Sequence, residues 1–513
     1  MSEFVTVSVQ GSPVHSPSHH PLSLGVPQDP LAGHRSHTPR PNLHDPNPFG
    51  VQVLGEATIT TPLEPSTTFT QHGDVLLYKP FFKHTEDEEE DYGMSDLKLD
   101  AREAAEAGGR HEDVARLPGS LPGHEATIPL YLERAGPRDK LFFNPKKVTA
   151  GIVTCGGLCP GLNNVIRALV NSLYYRYGVH RVLGFMYGYE GLNPEAGAPP
   201  MDLTPSHVKD IHRFGGSMLK SSRGPQDPNV MVDYLVKLGV DVLFTIGGDG
   251  TQKCAHLIAQ ESSRRGLAMA VVGIPKTIDN DIAYCAKTFG FETAVEMSLA
   301  PITAAHEEAR SARGGIGIVK LMGRDSGFIA LHAALASGDV NLLLIPEVPF
   351  SLDRVCALVE DRLRTRDHCL IVVAEGAGQD VIAAFTHAQG GVKERDASGN
   401  AKLQDIGVFL KDQLAAYLKK KKVEHTIKYI DPSYTIRSAP ACGTDAVFTV
   451  SLAQQAVHAA MAGKTDCVIG LVQDEFVLIP ISKAVERRKK VDPRSMQYQT
   501  VLDLTGMPRD LTN

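Results

Sequence analysis

The chain has 513 residues, 42% hydrophobic and 22% charged, with 47 glycines, 33 prolines and no tryptophan. That length holds two or three cores, because a single core seldom grows past about 250 to 300 residues, and the composition excludes a fibrous, collagen-like or wholly disordered chain. A formal charge of −7 offers no global positive field, so neither nucleic acid nor an anionic membrane is expected as a partner.

From Met1 to about Pro65 the sequence is crowded with Pro, His, Ser and Thr and has no periodicity, which predicts a disordered leader over residues 1–65. Its histidines (His15, His19, His20, His34, His37, His44) read as solvated low-complexity sequence rather than a metal site. The start lacks a basic signal region and is not Arg-rich, and no apolar run approaches the roughly 18 residues that cross a bilayer. A cytoplasmic location is the expectation, with an organellar transit role for the leader left open. Residues 66–147 contain short apolar pieces, Val75–Tyr78 and Leu130–Leu132, around the acidic run Glu86–Asp91. They predict an accessory segment wrapping the core, with the acidic run as a solvated loop.

From Val148 onward, apolar runs end in glycine-rich or charged loops and lead into amphipathic helices, the pattern of βα units. Val148–Thr154 reads as a strand, Gly156–Gly161 as a loop, and residues 163–175 as a helix with Val165, Ile166, Leu169, Val170 and Leu173 on one face. Residues 241–246 repeat the unit, followed by Gly247-Gly-Asp-Gly-Thr251 and a helix with Cys254, Leu257 and Ile258 on its apolar side. Further strands are expected at 268–272, 317–321, 342–345 and 370–373. This organisation assigns residues 148–485 to an α/β core, which the resemblance described below divides into two lobes, and 486–513 to a C-terminal extension. Of the eight cysteines, the closest pair, Cys155 and Cys159, lacks further zinc ligands nearby, so free thiols in a reducing compartment are expected.

In an open parallel sheet the loops gather at the carboxyl edge, where ligands bind. Gly156-Gly157 and Gly247-Gly248 suit phosphate, because a glycine turn admits backbone N–H groups and the following helix adds its positive end. The first loop is not a Walker A sequence, and Leu158 spoils a dinucleotide fingerprint. Asp249, between glycines, suits a Mg²⁺ carboxylate, with helix capping as the alternative. In Pro275-Lys-Thr-Ile-Asp-Asn-Asp281, Asp279 and Asp281 supply carboxylates for a proton and for orientation, and Lys276 a cation for phosphate charge; an Asx-rich turn remains the competing reading.

Thr154-Cys-Gly-Gly-Leu-Cys-Pro-Gly-Leu-Asn163, Gly247-Gly-Asp-Gly-Thr251, Pro275-Lys-Thr-Ile-Asp-Asn-Asp281 and Met322-Gly-Arg-Asp-Ser-Gly327, in this order, closely resemble the 6-phosphofructokinase family over about residues 137–470, roughly two thirds of the chain. Within it the chain looks most like the plant and kinetoplastid ATP-dependent type. The resemblance implies an α/β fold of two Rossmann-like three-layer lobes with mainly parallel sheets, an active site in the cleft between them, and an N-terminal extension. It implies transfer of the ATP γ-phosphate to the 1-hydroxyl of fructose 6-phosphate, with Mg²⁺. By motif, Asp279 is the base, with Thr277 and Arg324 also catalytic, and Asp249 is the metal carboxylate. Gly156, Arg223, Gly224, Gly248, Gly250 and Thr251 join Asp249 as nucleotide positions. Thr277, Ile278, Asp279, Met322, Gly323, Arg324, Glu375, Lys428, Tyr434 and Arg437 are the sugar phosphate positions. Arginine forks suit phosphate, and a carboxylate such as Glu375 suits sugar hydroxyls.

Donor choice rests on Gly250 and Lys276. Gly250 leaves room for a nucleotide's α-phosphate where pyrophosphate users carry aspartate, whereas Lys276 matches the pyrophosphate users; the plant and kinetoplastid enzymes combine glycine with lysine, so ATP is the expectation. The family's bacterial members place a histidine where this chain has Tyr434, and a cross-subunit arginine where it has Gly315, with Arg313 or Lys320 as substitutes. Lys428 aligns with another cross-subunit ligand, and the resemblance implies a homotetramer, or at least a dimer. Three other readings stand beside this one: a pyrophosphate-dependent enzyme, an NAD or lipid kinase that shares only the Gly-Gly-Asp-Gly-Thr loop, and a catalytically silent regulatory subunit.

Overall fold

The computed structural model describes residues 49–64, 67–71, 74–77, 131–388 and 403–512. The leader up to residue 48, with its histidines, and the acidic run Glu86–Asp91 lie outside the described residues.

Among the described residues, the larger of the two main sheets has nine strands. At its centre, Ala270–Pro275, Val242–Gly247, Thr149–Thr154 and Arg181–Phe185 run parallel as successive neighbours. The first three are buried along their whole length, as continuous apolar strands must be when helices cover both faces. Strand alternation sorts their side chains. Ile152, Phe244 and Val272 pack with the helices Leu162–Asn171 and Gly443–Met461, while Val153, Leu243 and Val271 pack with Pro228–Leu238 and Asp249–Arg264. Cys467–Val472 continues the sheet in parallel, and Glu475–Pro480, Tyr131–Arg134 and Val75–Leu77 close it antiparallel.

The second lobe is built on four parallel strands in the order Leu342–Leu344, His368–Ala374, Gly315–Leu321 and Thr426–Ile430. Its core draws on Ile316, Ile318, Leu370 and Val372, with Leu410 and Leu414 from the helix Ile406–Lys420.

Three details depart from the sequence reading. Ordered chain begins before Pro65: Phe49 is 1% exposed and sets its ring edge-on to Tyr284 at 4.9 Å, and Gln52–Val53 and Ile59–Thr60 pair with Lys464–Thr465 and Lys140–Leu141. The buried stripe of the helix Asp249–Arg264 is Thr251, Gln252, Ala255, Ile258, Ala259 and Ser262, so Leu257 faces solvent. The C-terminal residues Tyr498, Val501 and Leu511 belong to the second lobe's core.

The chain passes between lobes at residues 276–290, 438–442 and 485–490. In the first crossing Ile278 packs against both cores. The first two crossings are tied together by buried Asp445, whose Oδ2 accepts from the Thr293 N–H at 2.8 Å and from Thr293 Oγ1 at 2.6 Å. All eight cysteines are free.

Candidate active site

Strand register decides which loops meet. Thr154 stands opposite Ile246, and Pro275 opposite Gly247, so the loops that follow these strands leave from one edge. The first loop turns at Gly156, with φ +85°. Its carbonyl accepts from Ser221 Oγ at 2.6 Å, bringing the Ser221–Gly224 turn alongside. Lys276 Nζ donates to the Gly157 carbonyl at 2.6 Å, and a side chain grown at Gly157 would meet the Arg223 guanidinium at 3.3 Å. Lys276 also donates its backbone N–H to Gly247 O at 2.9 Å. Burial, with Arg223 adding to it, lowers the Lys276 pKa.

The helix Asp249–Arg264 is capped by Gly248, and no side chain makes a cap hydrogen bond. Asp249 is therefore not a cap. Its carboxylate pairs with Lys253 Nζ at 3.0 Å and faces Arg488 at 3.9 Å. A Cβ at Gly250 would meet no described residue within 4 Å, so that position opens onto free space among them. Among the described residues no three His, Cys, Asp or Glu side chains gather to hold a metal. A cation at Asp249 would take most of its ligands from phosphate and water, a pattern that suits Mg²⁺.

The Thr277–Asp281 loop lies between the two cores through Ile278. Thr277 Oγ1 donates to Asp281 Oδ1 at 2.7 Å and accepts from the Asp279 N–H at 3.2 Å. Thr288 Oγ1 pins the Thr277 carbonyl at 2.6 Å. Asp279 Oδ1 is buried and has no hydrogen-bond partner among the described residues, although the Arg324 backbone N–H donates to the carboxylate. Burial, and then the charges of Asp281 and Glu375, push Asp279 up to about 7, against the pull of Arg437. An unpartnered acceptor of that basicity is fitted to take a proton.

The second lobe presents its own carboxyl edge. Leu321 stands opposite Ala374, so the 322–327 and 375–378 loops adjoin, and Gly376 N–H donates to Gly323 O at 3.0 Å. Gly323 has φ +125°, and a Cβ there would lie 2.4 Å from Ser326 O, so only glycine fits without displacement. Ser326 Oγ donates to the Asp279 carbonyl at 3.2 Å, docking this loop onto the carboxylate loop. Met322 is buried, and its Sδ accepts from Arg437 Nε at 3.4 Å. Burial raises the Glu375 pKa, with Arg437, Lys320 and Arg324 opposing.

The structure thus gathers Gly156, Arg223, Gly248, Asp249, Gly250, Thr251, Lys276, Thr277, Asp279, Gly323, Arg324, Glu375 and Arg437 around facing loop edges. Gly224 adjoins them, with φ +125°. Tyr434 stands in solvent, 82% exposed. Lys428 lies mid-strand opposite Gly317, away from the loops, and faces Glu308 at 3.6 Å. Lys320 is engaged within its own chain, bound to Asp405 at 2.7 Å and Asp431 at 2.8 Å. Arg313 lies at the opposite end of the second sheet, before the strand Gly315–Leu321 begins.

Sequence reasoning missed Arg488 and Lys489. Arg488 contacts Asp325 and lies 3.9 Å from each of Asp249 and Asp281. The Lys489 N–H donates to Asp281 O at 2.8 Å, and its Nζ donates to Cys285 O at 2.7 Å. The signal available was the run Arg487–Lys490, which follows the strand Glu475–Pro480 and the short helix Ile481–Ala484 and in which four cations precede a buried valine.

The family model described as Phosphofructokinase matches residues 149–460. An ATP-dependent 6-phosphofructokinase of Trypanosoma cruzi is 50% identical over 387 residues, covering 75% of this chain and 78% of its own length. ATP-dependent 6-phosphofructokinase 7 of Arabidopsis thaliana is 47% identical over 382 residues, covering 74% of this chain and 77% of its own. Among solved structures, a pyrophosphate-dependent phosphofructokinase from Marinobacter aquaeolei shares the fold with a TM-score of 0.57 at 20% identity, over 70% of this chain and 91% of that one.

Proposed function

Because the chain belongs to the phosphofructokinase family, we propose that it transfers the γ-phosphate of ATP to the 1-hydroxyl of fructose 6-phosphate, giving fructose 1,6-bisphosphate and ADP. The observation that carries this reading is the buried Oδ1 of Asp279, which has no partner among the described residues and is set between a glycine-rich loop edge and the arginine-bearing edge of the second lobe. In the proposed reaction this oxygen takes the hydroxyl proton while the sugar O1 bonds to the γ-phosphorus and the β–γ bridging bond breaks. Thr277 orients Asp281 and the Asp279 backbone; Arg324 and Arg437 hold the sugar phosphate, and Glu375 accepts from sugar hydroxyls. On the donor side, Gly156, Arg223, Gly224, Gly248 and Thr251 receive the nucleotide. Mg²⁺, held through Asp249, would supply charge neutralisation on the donor phosphates.

Choice of ATP over pyrophosphate is assigned to Gly250, whose empty surroundings leave space for an α-phosphate. The lysine at 276 does not oppose this, because its head group is spent on the Gly157 carbonyl. Lys428 and Tyr434, both outward-facing, belong to the proposed homotetramer, where a second copy would meet them, and the proposed setting is the cytoplasm. The test is purified protein with fructose 6-phosphate and Mg²⁺, offered ATP and pyrophosphate in parallel. Turnover with ATP and little with pyrophosphate is expected; the reverse preference overturns the donor assignment, and no turnover with either overturns the reaction.

A further inference from the structure

The third crossing between the lobes runs through the mouth of the site. Ile481 and Ala484 are anchored in the first lobe's core, and Val491 and Tyr498 in the second's. Between them the chain is held to the carboxylate loop by an Ile282–Arg488 bridge and by the Lys489 N–H to Asp281 O bond. Backbone fixed at both ends carries the Arg488 side chain to one place.

That place is where the three acidic loops meet. Asp249 opens the donor-side helix, Asp281 closes the carboxylate loop, and Asp325 follows Arg324 in the second lobe. Among the described residues the one hydrogen-bond acceptor of Arg488 is Asp325; Asp249 and Asp281 stand at 3.9 Å, beyond hydrogen-bond reach. A guanidinium has five N–H donors in a planar fork, and this side chain keeps 34% of its surface exposed. One amino group of the fork stands 3.9 Å from Asp249 and the other 3.9 Å from Asp281, so the guanidinium spans the donor and acceptor loops with a close acceptor only at Asp325 among the described residues. Carboxylates at that range attract the guanidinium and hold it in position without occupying its donors.

We propose that Arg488 is a phosphate-binding residue, delivered by the C-terminal segment, that grips the phosphoryl group in transit between the donor loop at Asp249 and the acceptor loop at Asp279–Asp281. The inference rests on the phosphoryl-transfer reading above and adds a residue to it. Tetrahedral phosphate oxygens suit a fork with open donors. Charge on a transferring phosphoryl group spreads over its peripheral oxygens, so a cation fixed there stabilises the transition state. A residue in this position contacts the third phosphate of the donor and not the first two.

The test compares wild type, R488Q and R488K by calorimetric titration with Mg·ADP and with the non-hydrolysable Mg·β,γ-imido-ATP, alongside steady-state kinetics. R488Q is expected to weaken the triphosphate analogue about tenfold and to leave ADP within about twofold. Its kcat should fall about a hundredfold with the KM for fructose 6-phosphate within about threefold. R488K, which keeps the charge and loses the fork, should recover part of both effects and serves if R488Q is unstable. Equal weakening of ADP and the analogue, or no weakening of either with kcat unchanged, overturns the proposal. If wild type itself turned over no fructose 6-phosphate, the reaction assignment would fail, while the ADP-versus-analogue difference would still decide the role of Arg488.

Discussion

Replacing Asp279 by asparagine alters one atom of the group proposed to take the proton. The amide oxygen can still accept the Arg324 N–H that now reaches the carboxylate, so the loop should keep its path. What is lost is the basic oxygen, which stands buried and unpartnered and is pushed up to about 7 by burial and by Asp281 and Glu375. General base catalysis of this kind contributes about 10² to 10⁴ in rate, which converts to roughly 2.7–5.5 kcal/mol of barrier. Ground-state binding should be spared, because removing one of three mutually repelling carboxylates does not cost affinity for an anionic sugar. A coupled assay for fructose 1,6-bisphosphate would read kcat, and titration calorimetry with fructose 6-phosphate would read binding. The expected pattern is kcat down at least a hundredfold with the dissociation constant within about threefold. Turnover within tenfold of wild type would refute the assignment of the base.

The same carboxylate sets the acid limb of the pH profile. Because its pKa is raised to about 7 and the base works deprotonated, kcat/KM should climb as pH rises through about 7; Asp281→Asn, removing the second-largest push, should move that limb to lower pH, and an unmoved limb would dissociate it from Asp279. Gly250→Asp should fold normally, since the new side chain meets open space, yet lower kcat/KM for ATP at least about tenfold by charge repulsion; an undiminished ATP rate refutes the account of donor choice. Gly323→Ala forces a Cβ against Ser326 O at a φ of +125°, and should cost about 1–3 kcal/mol in a denaturant titration while raising the KM for fructose 6-phosphate. Unchanged stability would contradict the strain.

The architecture was readable in the sequence where burial is continuous. The strands at 149–154 and 242–247 announce themselves as apolar runs ending in glycine or charge, and their loops carry the motifs, whereas the strand expected at 268–272 runs over 270–275. Period and phase were less legible: three apolar letters in the helix Asp249–Arg264 suggested the wrong face at Leu257, because Thr251, Gln252 and Ser262 hold buried positions through polar side chains. Proline density hid the edge pairings after Phe49. Lys320, which looked like a spare cation, is consumed by Asp405 and Asp431, one residue 85 positions away and the other on a neighbouring strand's exit. Arg488 escaped notice for the same reason. Its three carboxylates lie far from it in sequence, and a basic run near a chain end reads as solvated until the fold places it.

The lobes are joined by separate passages of chain, and each passage ends beside the cleft: Thr277 to Asp281 in one, Arg437 before the next, Arg488 in the last. Mechanical coupling follows. Any change in the angle between the lobes must pull on the Thr277–Asp281 loop and on the Arg488 segment, because each is anchored in the cores on both sides. Ile278, wedged in both cores, makes Asp279, the proposed base, answer most directly to that angle. A ligand that bound far away and altered the lobe angle by a few degrees would act on turnover without touching a reacting group.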